Sequence, residues 1–228
     1  LCFKFLMFLK LISRLTLLHS LASIIVNIVP FFILHNFSKY YALRKTFQII
    51  KMDKIKGDYC EFGCFTGASL NHVLRLTSKD TFLQKKIIYG FDSFKGFPKE
   101  IHSEFKSEVF TADYEKVKKL EKKSNGRCKI KKGFFSDVLI NEDLKKDIKN
   151  ISLAFIDCDL AISSRPVFEF IKGRMVNGSF IVIDDYFNID NEGNSIRDEF
   201  KKHFDIDKNV YKFTTYGLGG VVYQYIKN

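Results

Sequence analysis

Ile151-Ser152-Leu153-Ala154-Phe155-Ile156 runs into Asp157-Cys158-Asp159, and Phe180-Ile181-Val182-Ile183 runs into Asp184-Asp185. Each apolar run has the length of a strand buried on both faces, and each ends in a pair of carboxylates. Buried ionised carboxylates are costly unless they are paired or bound to a metal, so acids gathered where hydrophobic strands emerge point to a cation site. Working outward from these two runs, strands and helices alternate. Tyr59 to Phe62, Ile87 to Phe91 and Cys128 to Lys131 read as strands, as do the runs ending at Asp157 and Asp184. Helical spacing marks Tyr40 to Ile55, a helix from Ala68, and Asp113 to Lys123, Asn141 to Ile148, Ser164 to Val176 and Ser195 to Phe204. The expected fold is therefore α/β: a doubly wound, Rossmann-like, mostly parallel sheet. Strands near Val210 to Phe213 and Val221 to Tyr225 would close it as an antiparallel terminal hairpin.

The chain has 228 residues, 46% hydrophobic and 28% charged, enough for one α/β domain and an extension. Its five cysteines make no CxxC pair and no Cys/His spacing for zinc, which suits a reduced, cytoplasmic compartment. The net charge of +11 is spread along the chain. Without interleaved aromatics or an RNA-binding motif, no nucleic-acid partner is expected; an anionic substrate such as a nucleotide-linked sugar, or an anionic membrane surface, suits the charge.

Residues 1–37 form an apolar helical extension, and 38–228 the catalytic-type domain. From Leu15 to Leu34 there is no charged residue, and 14 of the 20 positions are apolar. One helix of that length could span a bilayer, with Lys4, Lys10 and Arg14 favouring an N-terminus inside the cell. His19, Ser20, Ser23, Asn27 and Pro30 equally suit helices packed on protein. Peripheral contact with the inner face of a membrane through residues 1–36, and a cap or homo-oligomer element, both remain open.

In open α/β sheets ligands bind beyond the carboxyl ends of the strands. The first strand ends in Glu61-Phe62-Gly63-Cys64-Phe65-Thr66-Gly67-Ala68-Ser69, where Gly63 and Gly67 permit a tight turn before a helix N-terminus. The spacing is not GxGxxG, which disfavours a dinucleotide. The second strand ends in Asp92, 25 residues after Gly67, where an acid can accept both hydroxyls of a ribose. A ribose acid without a pyrophosphate loop suggests a nucleoside cofactor such as S-adenosylmethionine, with Glu61 toward its methionine amino group. The plainer alternative is that Asp92 and Ser93 cap a turn.

Gly57-Asp58-Tyr59-Cys60-Glu61-Phe62-Gly63-Cys64-Phe65-Thr66-Gly67-Ala68-Ser69, Gly90-Phe91-Asp92-Ser93-Phe94-Lys95-Gly96-Phe97-Pro98, Lys132-Gly133-Phe134-Phe135-Ser136-Asp137, Asp157-Cys158-Asp159-Leu160 and Asp184-Asp185-Tyr186 occur in this order. Together they resemble the macrocin O-methyltransferase (TylF-type) family of metal-dependent sugar methyltransferases over about residues 40 to 205. The resemblance implies S-adenosylmethionine bound at Glu61, Gly63, Gly67, Ser69, Asp92, Ser93 and Gly133. It implies Mg²⁺ on Asp157, Asp184 and Asp185, with Asp159 as general base toward a sugar hydroxyl of a surface glycan or nucleotide-sugar. The chain departs from the family in Leu160-Ala161-Ile162-Ser163, where an aromatic and an acid are usual, which opens the choice of acceptor. A catechol-type O-methyltransferase and a degenerate, non-catalytic binding module are the alternatives. Cys158 reads as a packing residue, since a thiolate beside two carboxylates is disfavoured. His72, His102 and His203 stand at no ligand spacing.

Overall fold

A computed structural model describes residue 12, residues 15–98 and residues 107–227. Lys4, Lys10, Arg14 and His102 lie outside them. Seven strands form one sheet: β1 (Asp58–Phe62), β2 (Ile88–Asp92), β3 (Cys128–Lys132), β4 (Ile151–Ile156), β5 (Met175–Ile183), β6 (Val210–Tyr216) and β7 (Gly220–Tyr225). Their order is β3-β2-β1-β4-β5-β7-β6, with β1 to β5 parallel and β7 antiparallel to both of its neighbours. This is the expected doubly wound sheet with its terminal hairpin.

Alternation within each strand divides the core between the two faces. Cys60, Phe62, Ala154 and Ile156 pack with Phe168 and Ile171 of helix α7 (Ala161–Lys172) and Phe200 of α8 (Ile196–His203). Tyr59, Leu153, Phe155 and Val182 pack with Leu43, Phe47 and Ile50 of α2 (Phe31–Met52) and with Leu70 and Val73 of α3 (Ala68–Thr77). Helices α4 (Tyr114–Lys123), α5 (Phe135–Val138) and α6 (Glu142–Asp147) complete the connections. Their starts follow ordinary capping chemistry: Asp113, Asn141 and Ser195 accept hydrogen bonds from N–H groups of the first turns of α4, α6 and α8.

Three boundaries differ from expectation. The apolar run from Leu15 is not one helix: α1 (Thr16–Ile28) stops where Val29 turns extended ahead of Pro30, the conformation that a following proline favours. No helix among the described residues is long and apolar enough to cross a membrane. Helix α2 begins at Phe31 rather than Tyr40 and runs unbroken past residues 37 and 38. Finally, α7 begins at Ala161, directly behind the extended Leu160, and ends at Lys172, while Val176 belongs to β5. The irregular pairing between Ile151 and Leu153, with Gly178 at φ +81°, lets β5 start early and still reach Asp184 in register.

Candidate active site

The register that sets Phe62 opposite Ile156, and Ile156 opposite Ile183, lays the three strand ends side by side. Asp157 N–H donates to Phe62 O at 2.8 Å, and Asp184 N–H to Ile156 O at 2.9 Å. Gly63 follows β1 at φ +93°, and a Cβ there would lie 1.7 Å from Asp157 O. Only glycine lets these two chains pass so closely.

Asp92 closes β2 and fastens two loops. Its Oδ2 accepts from Phe65 N–H and its Oδ1 from Phe94 N–H, both at 2.7 Å. Both phenylalanines are left-handed, at φ 43° and 57°, a conformation that costs a non-glycine residue about 1 kcal/mol or more and persists only under such constraint. Ser93 Oγ donates to Gly96 O and accepts from Lys95 N–H, so the turn-capping reading of Asp92 and Ser93 holds while both side chains also face a cavity. Gly133, at φ +144°, donates its N–H to Asp92 O at 2.9 Å and lines the same cavity.

Glu61, Gly67 and Ser69 are placed differently. Glu61 has no exposed surface; its Oε2 accepts from Tyr59 OH at 2.6 Å and its Oε1 from Ser69 Oγ at 2.5 Å. Burial pushes its carboxyl up to about 7, against the pull of those two hydrogen bonds. Gly67, at φ +77°, turns the chain into α3 beneath Val117 and Leu120. None of the three is on the cavity wall. They shape the turn that carries Gly63.

The cavity measures about 530 Å³ and joins the Asp92 end to the acidic cluster, since Gly63, Asp92, Gly133, Asp157 and Asp159 all line it. Phe65, Phe97, Phe110, Phe135 and Ile162 make much of its wall apolar. Carboxylate oxygens of Asp157, Asp184 and Asp185 lie within 4.8 Å of one another. Asp159, at φ 60°, stands close enough to Asp157, Asp184 and Asp185 to feel their charge. Burial, then the charges of Asp157 and Asp184, push Asp159 up to about 7. Burial, then the charges of Asp159 and Asp184, hold the Asp185 carboxyl well above the carboxylate range. Asp184 stays ionised despite burial because His35, Lys39 and Tyr216 all bond to it. Cys158 is buried, which raises its thiol far above neutrality, in keeping with a packing role. His72 stacks on Tyr40 and His203 faces Glu199, both away from the cluster.

Three residues in this site escaped the reading of the sequence. Lys39 Nζ sits 3.0 Å from Asp157 Oδ2 and 2.6 Å from Asp184 Oδ2. His35, one turn earlier on α2, places Nε2 3.1 Å from Asp184 Oδ2 and takes Leu218 N–H on Nδ1 at 3.2 Å, so Nε2 carries the proton. Tyr216 OH donates to Asp184 Oδ1 at 2.7 Å. For His35 and Lys39 the available signal was a His and a Lys one turn apart on a helix, aimed at nothing nearby in sequence.

The residues suit a divalent ion. Among the described residues four carboxyl groups face one ammonium, the donors are all hard oxygens, and Asp185 Oδ2 is buried without a hydrogen-bond partner. The cluster has the chemistry to hold a cation, with the Asp159 carboxyl pushed up to about 7 beside it and the cavity in front.

The chain's fold recurs in "Structure of the O-methyltransferase NovP", with TM-score 0.65 and 18% identity, covering 83% of this chain and 80% of that one. It recurs also in "Crystal Structure of CalS11, Calicheamicin Methyltransferase", with TM-score 0.70 and 16% identity, covering 94% and 88%. A putative caffeoyl-CoA O-methyltransferase from Staphylococcus aureus gives TM-score 0.55 and 14% identity, covering 97% and 98%. Curated protein sequences give no match. The model of the macrocin-O-methyltransferase (TylF) family matches residues 38–218, most of the chain and all of the site except His35. The chain belongs to the macrocin-O-methyltransferase (TylF) family and is an O-methyltransferase.

Proposed function

We propose that the enzyme transfers a methyl group from S-adenosylmethionine to a sugar hydroxyl, with Mg²⁺ held by Asp157, Asp184 and Asp185. The carrying observation is that these three carboxylates cluster within 4.8 Å at the end of a cavity whose other end is formed by Asp92 and Gly133. When bound, S-adenosylmethionine supplies an electrophilic methyl group on a sulfonium sulfur, and the divalent ion supplies positive charge that eases loss of the acceptor proton. Asp92 accepts hydrogen bonds from the ribose hydroxyls, and Gly63 and Gly133 let the backbone approach the nucleoside. Glu61 and Ser69 support that turn from behind. The aromatic wall excludes water. Asp159 would take the proton from the acceptor hydroxyl and leave its oxygen free to accept the methyl group that the bound donor would supply. The acceptor is read as a surface glycan or a nucleotide-sugar, for which the net charge of +11 provides electrostatic attraction.

Asp159→Asn should keep binding of S-adenosylmethionine and Mg²⁺ by isothermal titration while lowering turnover about 10²-fold or more. Undiminished turnover removes Asp159 from the chemistry. Absence of cofactor binding in the wild-type protein sinks the whole reading in favour of a degenerate module. The apolar pair Phe97 and Phe110, with ring centroids 4.6 Å apart on the cavity wall, is the observation that favours a flat catechol-type acceptor instead. Assaying nucleotide-sugars and catechols side by side separates the two.

We further propose that α1 lies on an anionic membrane surface. Thr16, Ser20, Ser23 and Asn27 form one narrow uncharged stripe at helical spacing, while Leu17, Leu21, Ile24, Ile25 and Ile28 are exposed and α1 buries none of its residues in the fold. Lys4, Lys10 and Arg14 stand just ahead of α1, and no acid occurs before Asp53. That one-sided charge complements anionic lipid better than a second copy of the same basic segment. The protein should sediment with vesicles containing phosphatidylserine, and lose this when residues 1–36 are deleted. A full-length dimer indifferent to vesicles would assign the helix to oligomerisation.

A further inference from the structure

We propose that Lys39 is an internal cation of the acidic cluster, and that a divalent ion enters only by displacing it. The inference rests on the metal reading above and adds a competitor drawn from the chain itself. Lys39 Nζ bridges Asp157 Oδ2 and Asp184 Oδ2, two of the three carboxylates that would hold the ion. Asp184 has little capacity left: its Oδ2 accepts from both Lys39 and His35, and its Oδ1 from Tyr216. A carboxylate oxygen has two lone-pair sites, so an ion joining Asp184 on Oδ2 has to replace one of these donors.

Position favours Lys39 as the group that leaves. Lys39 and Asp157 line the cavity, whereas Asp184 is only 4% exposed and does not, so the ammonium stands between solvent and that ligand. His35 is held on its far side by Leu218 N–H, and Tyr216 is built into β6, whereas Lys39 ends in a flexible four-carbon stem beside open space. An ammonium and a divalent ion sharing the same carboxylate oxygens repel strongly at such separations. With the ion absent, the same lysine keeps Asp157 and Asp184 from repelling each other. The site therefore holds its shape empty and exchanges one cation for another on loading.

Mn²⁺ serves as the probe in two measurements on the full chain. Isothermal titration compares the wild type with Lys39→Met, which keeps the stem and removes the charge, and with Lys39→Arg. Mass spectrometry reads the acetylation of Lys39 in the wild type with and without Mn²⁺. Displacement predicts binding to Lys39→Met about tenfold or more tighter than to the wild type, no such gain in Lys39→Arg, and Lys39 acetylation several-fold faster once Mn²⁺ is added. If the wild type binds Mn²⁺ and its Lys39 acetylation does not change, the lysine stays in place and this inference falls while the metal reading stands. Weaker binding by Lys39→Met also overturns it, making the lysine a support for the ligands. If none of the three proteins binds Mn²⁺, the metal reading falls and takes this inference with it.

Discussion

Glu61 has no exposed surface, and burial pushes its carboxyl up from 4.5 to about 7. A folded-state pKa above the unfolded one means that the folded protein binds the proton more tightly. The stability from this residue is fully present below pH about 4.5 and is lost as pH rises through about 7. The difference corresponds to roughly 3 kcal/mol. Urea denaturation at pH 5 and pH 8 should show a stability loss in the wild type that Glu61→Gln, always neutral, does not share. Parallel pH profiles for the two proteins would show that Glu61 does not titrate in this window. Single residues were legible where their signal was local. Asp157, Asp159, Asp184 and Asp185 stand out because acids follow directly on apolar strands, and Gly63 because a turn needs it. Lys39 was not, because its partners Asp157 and Asp184 are 118 and 145 positions further along and nothing beside it in the chain asks for a carboxylate.

Two elements distant in sequence, α2 and the β6–β7 turn, meet at His35. A Cβ on Gly217 would lie 2.2 Å from His35 Nδ1, and Leu218 N–H already bonds that atom. Gly217→Ala should therefore push His35 off Asp184 and unseat the first turns of α2, at a stability cost of about 1 to 3 kcal/mol, since Gly217 also sits at φ +54°. Methyl transfer should fall by about tenfold, the scale expected when a partner that orients a metal ligand is lost. Wild-type melting temperature and turnover in this variant would show that the turn does not hold the helix. At this scale the sequence revealed element types better than their ends. Apolarity alone makes Leu15 to Leu34 continuous, and only the backbone restriction before Pro30 divides it. The early start of β5 depends on its irregular pairing with β4, which no periodicity in either strand encodes.

For the molecule as a whole, the alternation of strands and helices was enough to predict the parallel sheet, because short connections and right-handed crossovers leave few other arrangements. The placing of β7 between β5 and β6 follows from the hairpin, whose strands pair from Val210 to Tyr225. Charge is distributed less evenly than its sum suggests, since the segment before Asp53 carries seven basic residues and no acid. The proposed vesicle binding should therefore weaken steeply between 0.05 and about 0.5 M salt, as the screening length drops well below 10 Å. Binding that ignores salt would point to the apolar face of α1 acting alone.

Asp92 leaves one more consequence. Its two oxygens are each fixed by a backbone N–H, from Phe65 and Phe94, so the carboxylate cannot rotate to suit what enters. On the ribose reading it acts as a rigid caliper rather than an adjustable grip. Such a caliper keeps the contact to the remaining hydroxyl of a sugar that lacks one, but cannot turn to recover the other. Discrimination between ribose and deoxyribose would then be set by two phenylalanine amides that never touch the sugar.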